Sequence, residues 1–172
     1  LKIADRIASR VAAGDRLVVV VSAMGDSTDE LIELAKQVTS PLPPQVFQRE
    51  LDMLLTSGER VSMALLSMAL AKIGCKSISF TGSQSGIITD ESHTRARVLE
   101  IRPHRILEGL SENRVVIVAG FQGVSKNREI TTLGRGGSDT TAAALASCLK
   151  ADLCEVYTDV PGIFSADPRK VP

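Results

Sequence analysis

Apolar positions along this chain alternate between two patterns, a spacing of three to four residues and short unbroken runs. Together they predict an α/β domain with a mostly parallel sheet covered on both faces. Ile3, Ile7 and Val11 lie four apart and predict a first helix that closes at Gly14. The run 17–22, Leu-Val-Val-Val-Val-Ser, suits a central strand. A turn holding Gly25 and Asp26 leads into a helix over 28–38, with Leu31, Leu34, Ala35 and Val38 as its apolar face. Pro41, Pro43 and Pro44 interrupt regular structure. Two helical stretches, 46–55 and 58–73, then precede a strand over 77–80, and 81–89 reads as a loop of small residues. A helix near 103–110 comes before a second all-apolar strand, 115–119, ended by Gly120 and Gly123. A helix over 139–149, a strand over 153–158 and a loop through Pro161 and Gly162 complete the pattern.

Composition narrows the function classes. The 172 residues, 44% of them apolar, fit one soluble domain or part of one. Lys plus Arg and Asp plus Glu both number 20, so no general basic field exists to hold nucleic acid or an anionic membrane, and anion binding must be local. The apolar run Leu17 to Val21 is far shorter than the ~20 residues of a membrane span, and the opening residues do not read as a signal peptide, which predicts a cytoplasmic protein. Cys75, Cys148 and Cys154 lack metal-ligand spacing and read as reduced thiols in apolar segments. His93 and His104 have no partner spacing either; both read as surface residues, and no metal-ligand set is predicted. The chain opens directly on a helical pattern and stops in what reads as a surface loop, so it reads as a piece of a domain, incomplete at both termini.

Four segments carry candidate chemistry. Gly134-Arg-Gly-Gly-Ser-Asp139 opens a helix rich in alanine. Unpaired N–H groups and the helix dipole favour an anion there, and Arg135 can hold a carboxylate or phosphate through two hydrogen bonds. The alternative is a plain turn in which Ser138 is the N-cap and Asp139 offsets the dipole. Ser22-Ala-Met-Gly-Asp-Ser-Thr-Asp-Glu30 follows the carboxyl end of a central strand, where open α/β sheets bind ligands; Asp26 or Ser27 could equally be only the cap of the next helix. Thr56-Ser-Gly-Glu59 has the capping-box pattern, with the alternative that Glu59 is a fixed carboxylate aimed at a substrate ammonium group. Tyr157-Thr-Asp159 and Phe164-Ser-Ala-Asp-Pro-Arg169 follow a strand end and can be read either as one nucleotide pocket or as a Pro/Gly loop.

In this order, the segments resemble the aspartate kinase branch of the amino-acid kinase family, over 18–34, 50–74, 81–90, 115–123, 131–146 and 155–172. The resemblance implies a three-layer αβα sandwich of the carbamate kinase-like type. It also implies transfer of the γ-phosphoryl group of MgATP to the side-chain carboxylate of L-aspartate, with ATP and Mg²⁺ required. It assigns Ser22, Thr158, Asp159, Phe164, Ser165, Ala166, Asp167, Pro168 and Arg169 to the nucleotide. Asp26, Ser27, Thr28, Asp29, Glu30, Glu59, Arg135, Gly136, Gly137 and Ser138 match aspartate-binding positions, and Leu110 and Ser111 a further substrate contact. Asp139 matches an acidic residue that organises the catalytic lysine and the transferring phosphate, and with Arg135 it forms the expected catalytic pair. A homo-oligomer or α2β2 assembly is implied for the complete protein.

The sequence departs from the family pattern in two ways. The Lys-Phe-Gly-Gly-Thr-Ser strand whose lysine bridges the phosphates has no counterpart in these residues, and Lys2 falls on a helix, so this length of chain alone is expected to be nearly inactive. The end of the kinase domain and the regulatory ACT domains are likewise expected to lie beyond it. Pro161 occupies a position that is often acidic in the family. Rival readings are another kinase of the same fold, acting on acetylglutamate, glutamate, carbamate or UMP, and a non-catalytic module that keeps the fold. A P-loop NTPase is disfavoured because Gly-x-x-x-x-Gly-Lys-Ser/Thr does not occur.

Overall fold

The computed structural model describes residues 2–134 and 136–158. A parallel three-stranded sheet forms its centre: β1 (Val18–Val21), β5 (Val115–Ala119) and β2 (Ser77–Phe80), in the order β1-β5-β2. Every residue of β5 is buried, and alternation along it divides the core in two. Val116 and Val118 pack with Phe80, Ile106 of α4 (His104–Ser111) and Leu145 of α5 (Gly137–Leu149). Val115 and Ile117 pack with Ala4 and Ile7 of α1 (Lys2–Ala12) and Leu70 of α3 (Gln48–Lys72). A strand buried on both faces needs apolar side chains at odd and even positions alike, which is why β5 reads as an unbroken run. The three-layer αβα arrangement of the central sheet follows.

A second sheet extends from the carboxyl ends of β2 and β5. Its order is β4 (Val98–Ile101), β3 (Ile87–Thr89), β6 (Gln122–Ser125), β7 (Ile130–Thr132), with only the β3–β6 pair parallel. None of these four strands is predicted by the apolar pattern, and β3 falls inside the stretch read as a loop. Each is three or four residues long, and their buried positions include Thr89, Gln122, Ser125, Thr131 and Thr132. No apolar run marks strands built this way.

The stretches read as separate helices at 46–55 and 58–73 are one helix, α3, preceded by a short 3₁₀ turn at Pro44–Val46. The hydroxyls that would cap a second helix fold back onto the first: Thr56 Oγ1 donates to the Met53 carbonyl (3.1 Å) and Ser57 Oγ to that of Leu54 (2.6 Å). Its first fifteen residues bury Asp52, Leu55, Thr56, Glu59 and Ser62 along one face.

In α2 (Ser27–Thr39) no residue is buried, and Leu34 and Val38 of the expected apolar face are 54% and 84% exposed. This helix packs on α3 rather than on the sheet, so only part of its apolar stripe is covered. Residues 153–158 form no strand, because among the described residues no neighbouring strand lies beside them to accept the ladder. They run against α1 instead, with Arg6 over the Tyr157 ring at 4.3 Å and Arg10 paired to Glu155 at 3.4 Å.

Candidate active site

A cavity of about 470 Å³ opens at the carboxyl end of β1. It is walled by the segment after β1, by the first half of α3, by the β7 end and by the amino end of α5. Placement at the carboxyl ends of parallel strands is the general rule for ligand sites in α/β sheets. Ser22, Thr28, Asp29, Glu59, Gly136, Gly137, Ser138 and Asp139, eight of the residues singled out in the sequence, line it together.

Glycines bring these walls into contact. A Cβ on Gly58 would stand 2.8 Å from the Ala23 Cβ, so only a glycine lets the segment after β1 lie directly on α3. That approach brings the Ala23 N–H to Glu59 Oε1 at 3.2 Å. At the amino end of α5, Gly136 is the N-cap in the left-handed region (φ 74°) and contributes no side-chain cap bond. Ser138 is therefore inside the first turn, not the cap, because the tight turn needs a residue free to adopt positive φ two residues earlier.

Glu59 dominates the electrostatics. Only 3% exposed, it uses Oε1 to accept from Ala23, while Oε2 has no partner. Burial pushes its carboxyl above the usual carboxylate range, against the opposing effect of the backbone N–H donors. The capping-box reading does not hold: Thr56 and Glu59 lie mid-helix, where the backbone needs no cap. Ser138 and Asp139, half-buried and exposed, sit at the positive end of the α5 dipole across the cavity. The site thus offers a buried carboxylate with one oxygen unpaired, in one cavity with a helix amino terminus, a layout suited to a ligand with an ammonium group and carboxylates.

Other predicted positions fall elsewhere. Asp26 is the N-cap residue of α2 without a side-chain bond, and Ser27 Oγ donates to the Met24 carbonyl at 2.6 Å. Ser27 and Glu30 line a smaller groove of about 200 Å³ between α2 and α3. Leu110 and Ser111 end α4 just before β5 begins, at the opposite end of the strand from the cavity; Ser111 Oγ donates to the Glu108 carbonyl and Leu110 packs on the core. Tyr157 donates its hydroxyl to Glu155 and lies under Arg6. Thr158 is exposed. Arg135, Asp159, Phe164, Ser165, Ala166, Asp167, Pro168 and Arg169 lie outside the described residues, though Arg135 is flanked in sequence by Gly134 and Gly136, both in the cavity wall.

Several lining residues were missed in the sequence: Ile32, Leu51, Leu55, Thr94 and Phe121. Behind them His93, read as a surface residue, packs its ring against Asp52, while His104 is exposed as expected.

The amino acid kinase family model matches residues 1–172. The chain belongs to the amino acid kinase family. It is 56% identical over 172 residues to an aspartokinase of Mycolicibacterium smegmatis, an alignment covering 99% of this chain and 40% of that protein. It also superimposes on an aspartate kinase from Synechocystis with a TM-score of 0.77 and 56% identity, over 99% of this chain and 27% of that one. An E. coli aspartokinase III solved with aspartate and ADP matches with a TM-score of 0.67 and 33% identity, over 82% of this chain and 31% of that one. This chain therefore spans about 40% of the length of the curated relative it matches.

Proposed function

We propose that the protein carrying these residues is an aspartate kinase, transferring the γ-phosphoryl group of MgATP to the side-chain carboxylate of L-aspartate. The observation that carries this reading is Glu59: a buried carboxylate with one oxygen unpaired, lining a cavity opposite a helix amino terminus. L-Aspartate has one ammonium group and two carboxylates, which matches that charge layout. Relatives named aspartokinase, and one solved with aspartate and ADP, support it further.

In this scheme the substrate ammonium sits on Glu59 and the α-carboxylate on Arg135 and the first turn of α5. Ser22, Thr158, Asp159 and the 164–169 stretch take the nucleotide, whose phosphate charge Mg²⁺ would offset when bound with it. A side-chain carboxylate oxygen forms a bond to the γ-phosphorus as the bond from that phosphorus to the ADP oxygen breaks, giving 4-phospho-L-aspartate and ADP. The attacking carboxylate carries no proton, so no general base is needed, and orientation and charge neutralisation supply the catalysis. Asp139 organises the phosphoryl group on the far side of the cavity from Glu59. ATP as donor supports a cytoplasmic setting. An apolar stripe on α3, Val61, Leu65 and Met68 at 52%, 47% and 66% exposed, supports a homo-oligomeric or α2β2 assembly of the complete protein.

The test is trapping of the acyl phosphate by hydroxylamine in the full-length protein. Aspartyl hydroxamate formed with L-aspartate, and not with L-glutamate, acetylglutamate or UMP as acceptor, is the expected result. Equal or greater turnover of another acceptor would replace the substrate, and phosphoryl transfer to none would leave a binding module.

A further inference from the structure

Asp52 has no part in the assignments above, yet it is completely buried beside the cavity and gathers donors from two other parts of the chain. Thr132 Oγ1 donates to its Oδ1 at 2.5 Å, and the Thr94 N–H reaches Oδ1 at 3.0 Å and Oδ2 at 3.1 Å. His93 Nδ1 lies 2.7 Å from Oδ2, and since a carboxylate can only accept, that nitrogen carries the proton. Ala96 N–H donates to the Thr132 carbonyl at 2.8 Å, so the 93–96 segment and β7 are tied to each other as well as to α3.

A buried carboxyl costs stability unless fully bonded, and replacing such a group by a hydrophobe is often neutral or stabilising. Leu51 and Leu55, its neighbours on α3, show that apolar side chains suit this part of the helix. What Asp52 adds is geometry. Thr94 and Thr132 both line the cavity, and Thr132 stands two residues before Gly134, where the glycine-rich loop begins. Thr94 also holds a positive φ of 66°, a conformation costly for a β-branched residue, and its N–H is one of the groups Asp52 holds. Asp52 and Glu59 are two helical turns apart on one face of α3.

We propose that Asp52 is a positioning residue for the amino-acid substrate, fixing the gap between Glu59 and the amino end of α5 by anchoring Thr94 and Thr132, two residues of the cavity wall, to the helix that carries Glu59. The proposal rests on the aspartate kinase reading. The gap must match the fixed separation between the ammonium and carboxylates of one small molecule, so slack in it weakens the amino acid and leaves the nucleotide largely untouched.

Asp52→Asn keeps the shape but removes an acceptor, and Thr132→Val removes one hydroxyl at nearly constant volume; the second variant stands in if the first does not fold. In the full-length protein, each is expected to raise the aspartate KM about tenfold while the ATP KM moves less than about twofold, since small misplacements carry large kinetic penalties. Because the two substitutions loosen one hydrogen-bonded cluster, the double variant is expected to cost less than the sum of the two single effects. An aspartate KM within twofold of wild type in both variants, or aspartate and ATP KM rising together with a fall in Tm, would overturn the positioning role. Wild-type protein that yields no aspartyl hydroxamate would instead sink the functional reading beneath it.

Discussion

Glu59 is held by one bond and left with one oxygen open, and that imbalance has a thermodynamic sign. Its carboxyl binds a proton more tightly in the folded chain than in the unfolded one, because burial disfavours the charge. The associated stability is fully present below the ordinary value of 4.5 and is lost as pH rises through the folded-state pKa. At neutral pH the ionised group therefore costs stability that a bound ammonium group would return. Glu59→Gln preserves shape and can still accept from the Ala23 N–H. It is expected to raise the Tm at pH 7, with the gain over wild type shrinking as pH falls through the folded-state pKa and gone by 4.5, in paired calorimetric scans. The same variant is expected to weaken aspartate by about 1.5–3 kcal/mol, the usual worth of a hydrogen bond to a charged group, read as a rise in KM of about tenfold or more. A Tm lowered at both pH values would mean that Glu59 serves the fold rather than a ligand.

Between elements, the critical contact is Gly58 against Ala23. Alanine is a better helix former than glycine by roughly 1 kcal/mol, so Gly58→Ala would stabilise an isolated α3. Here the new Cβ would fall 2.8 Å from the Ala23 Cβ and drive the two walls apart. The expected outcome is a net loss of about 1–3 kcal/mol in urea denaturation, together with a higher aspartate KM. A gain in stability would show that the segment after β1 yields without cost. The Thr56-Ser-Gly-Glu59 segment also explains what was hard to see in the sequence. Taken as the capped start of a helix, it splits α3 in two and destroys the phase relation between Asp52 and Glu59. Read as one helix, the stretch places Asp52, Leu55, Thr56 and Glu59 on one face, and a buried Asp becomes legible. β1 and β5 were legible because they are unbroken apolar runs, and β2 because Ser-Ile-Ser-Phe alternates with the period of a strand. The second sheet was not, because its buried side chains include Thr89, Gln122, Thr131 and Thr132, whose burial depends on hydrogen bonds that no local pattern announces.

At the scale of the molecule, stability is concentrated in β5, paired on both sides and buried throughout, with Val116, Ile117, Val118 and Ala119 at 0% exposure. Native-state hydrogen exchange is expected to be slowest at β5 amides and fastest over 151–158, where Leu153, Val156 and Tyr157 are 62%, 58% and 61% exposed. Slow exchange across 151–158 in the full-length protein would show that this stretch is covered there. Truncating Ile117 to alanine, which empties the α1–α3 side of the core, is expected to cost about 2–5 kcal/mol, and thermal denaturation measures it.

The two-turn interval on α3 also sets which changes in chain length the protein tolerates over evolutionary time. Inserting or deleting one residue between Asp52 and Glu59 turns one of them about 100° around the helix axis relative to the other, so that Glu59 could not stay in the cavity while Asp52 kept its donors. The turn between α2 and α3, residues 40–47, carries no such constraint and is mostly exposed. Natural variation in length should therefore collect before Gln48 and be absent from the eight residues that follow Leu51.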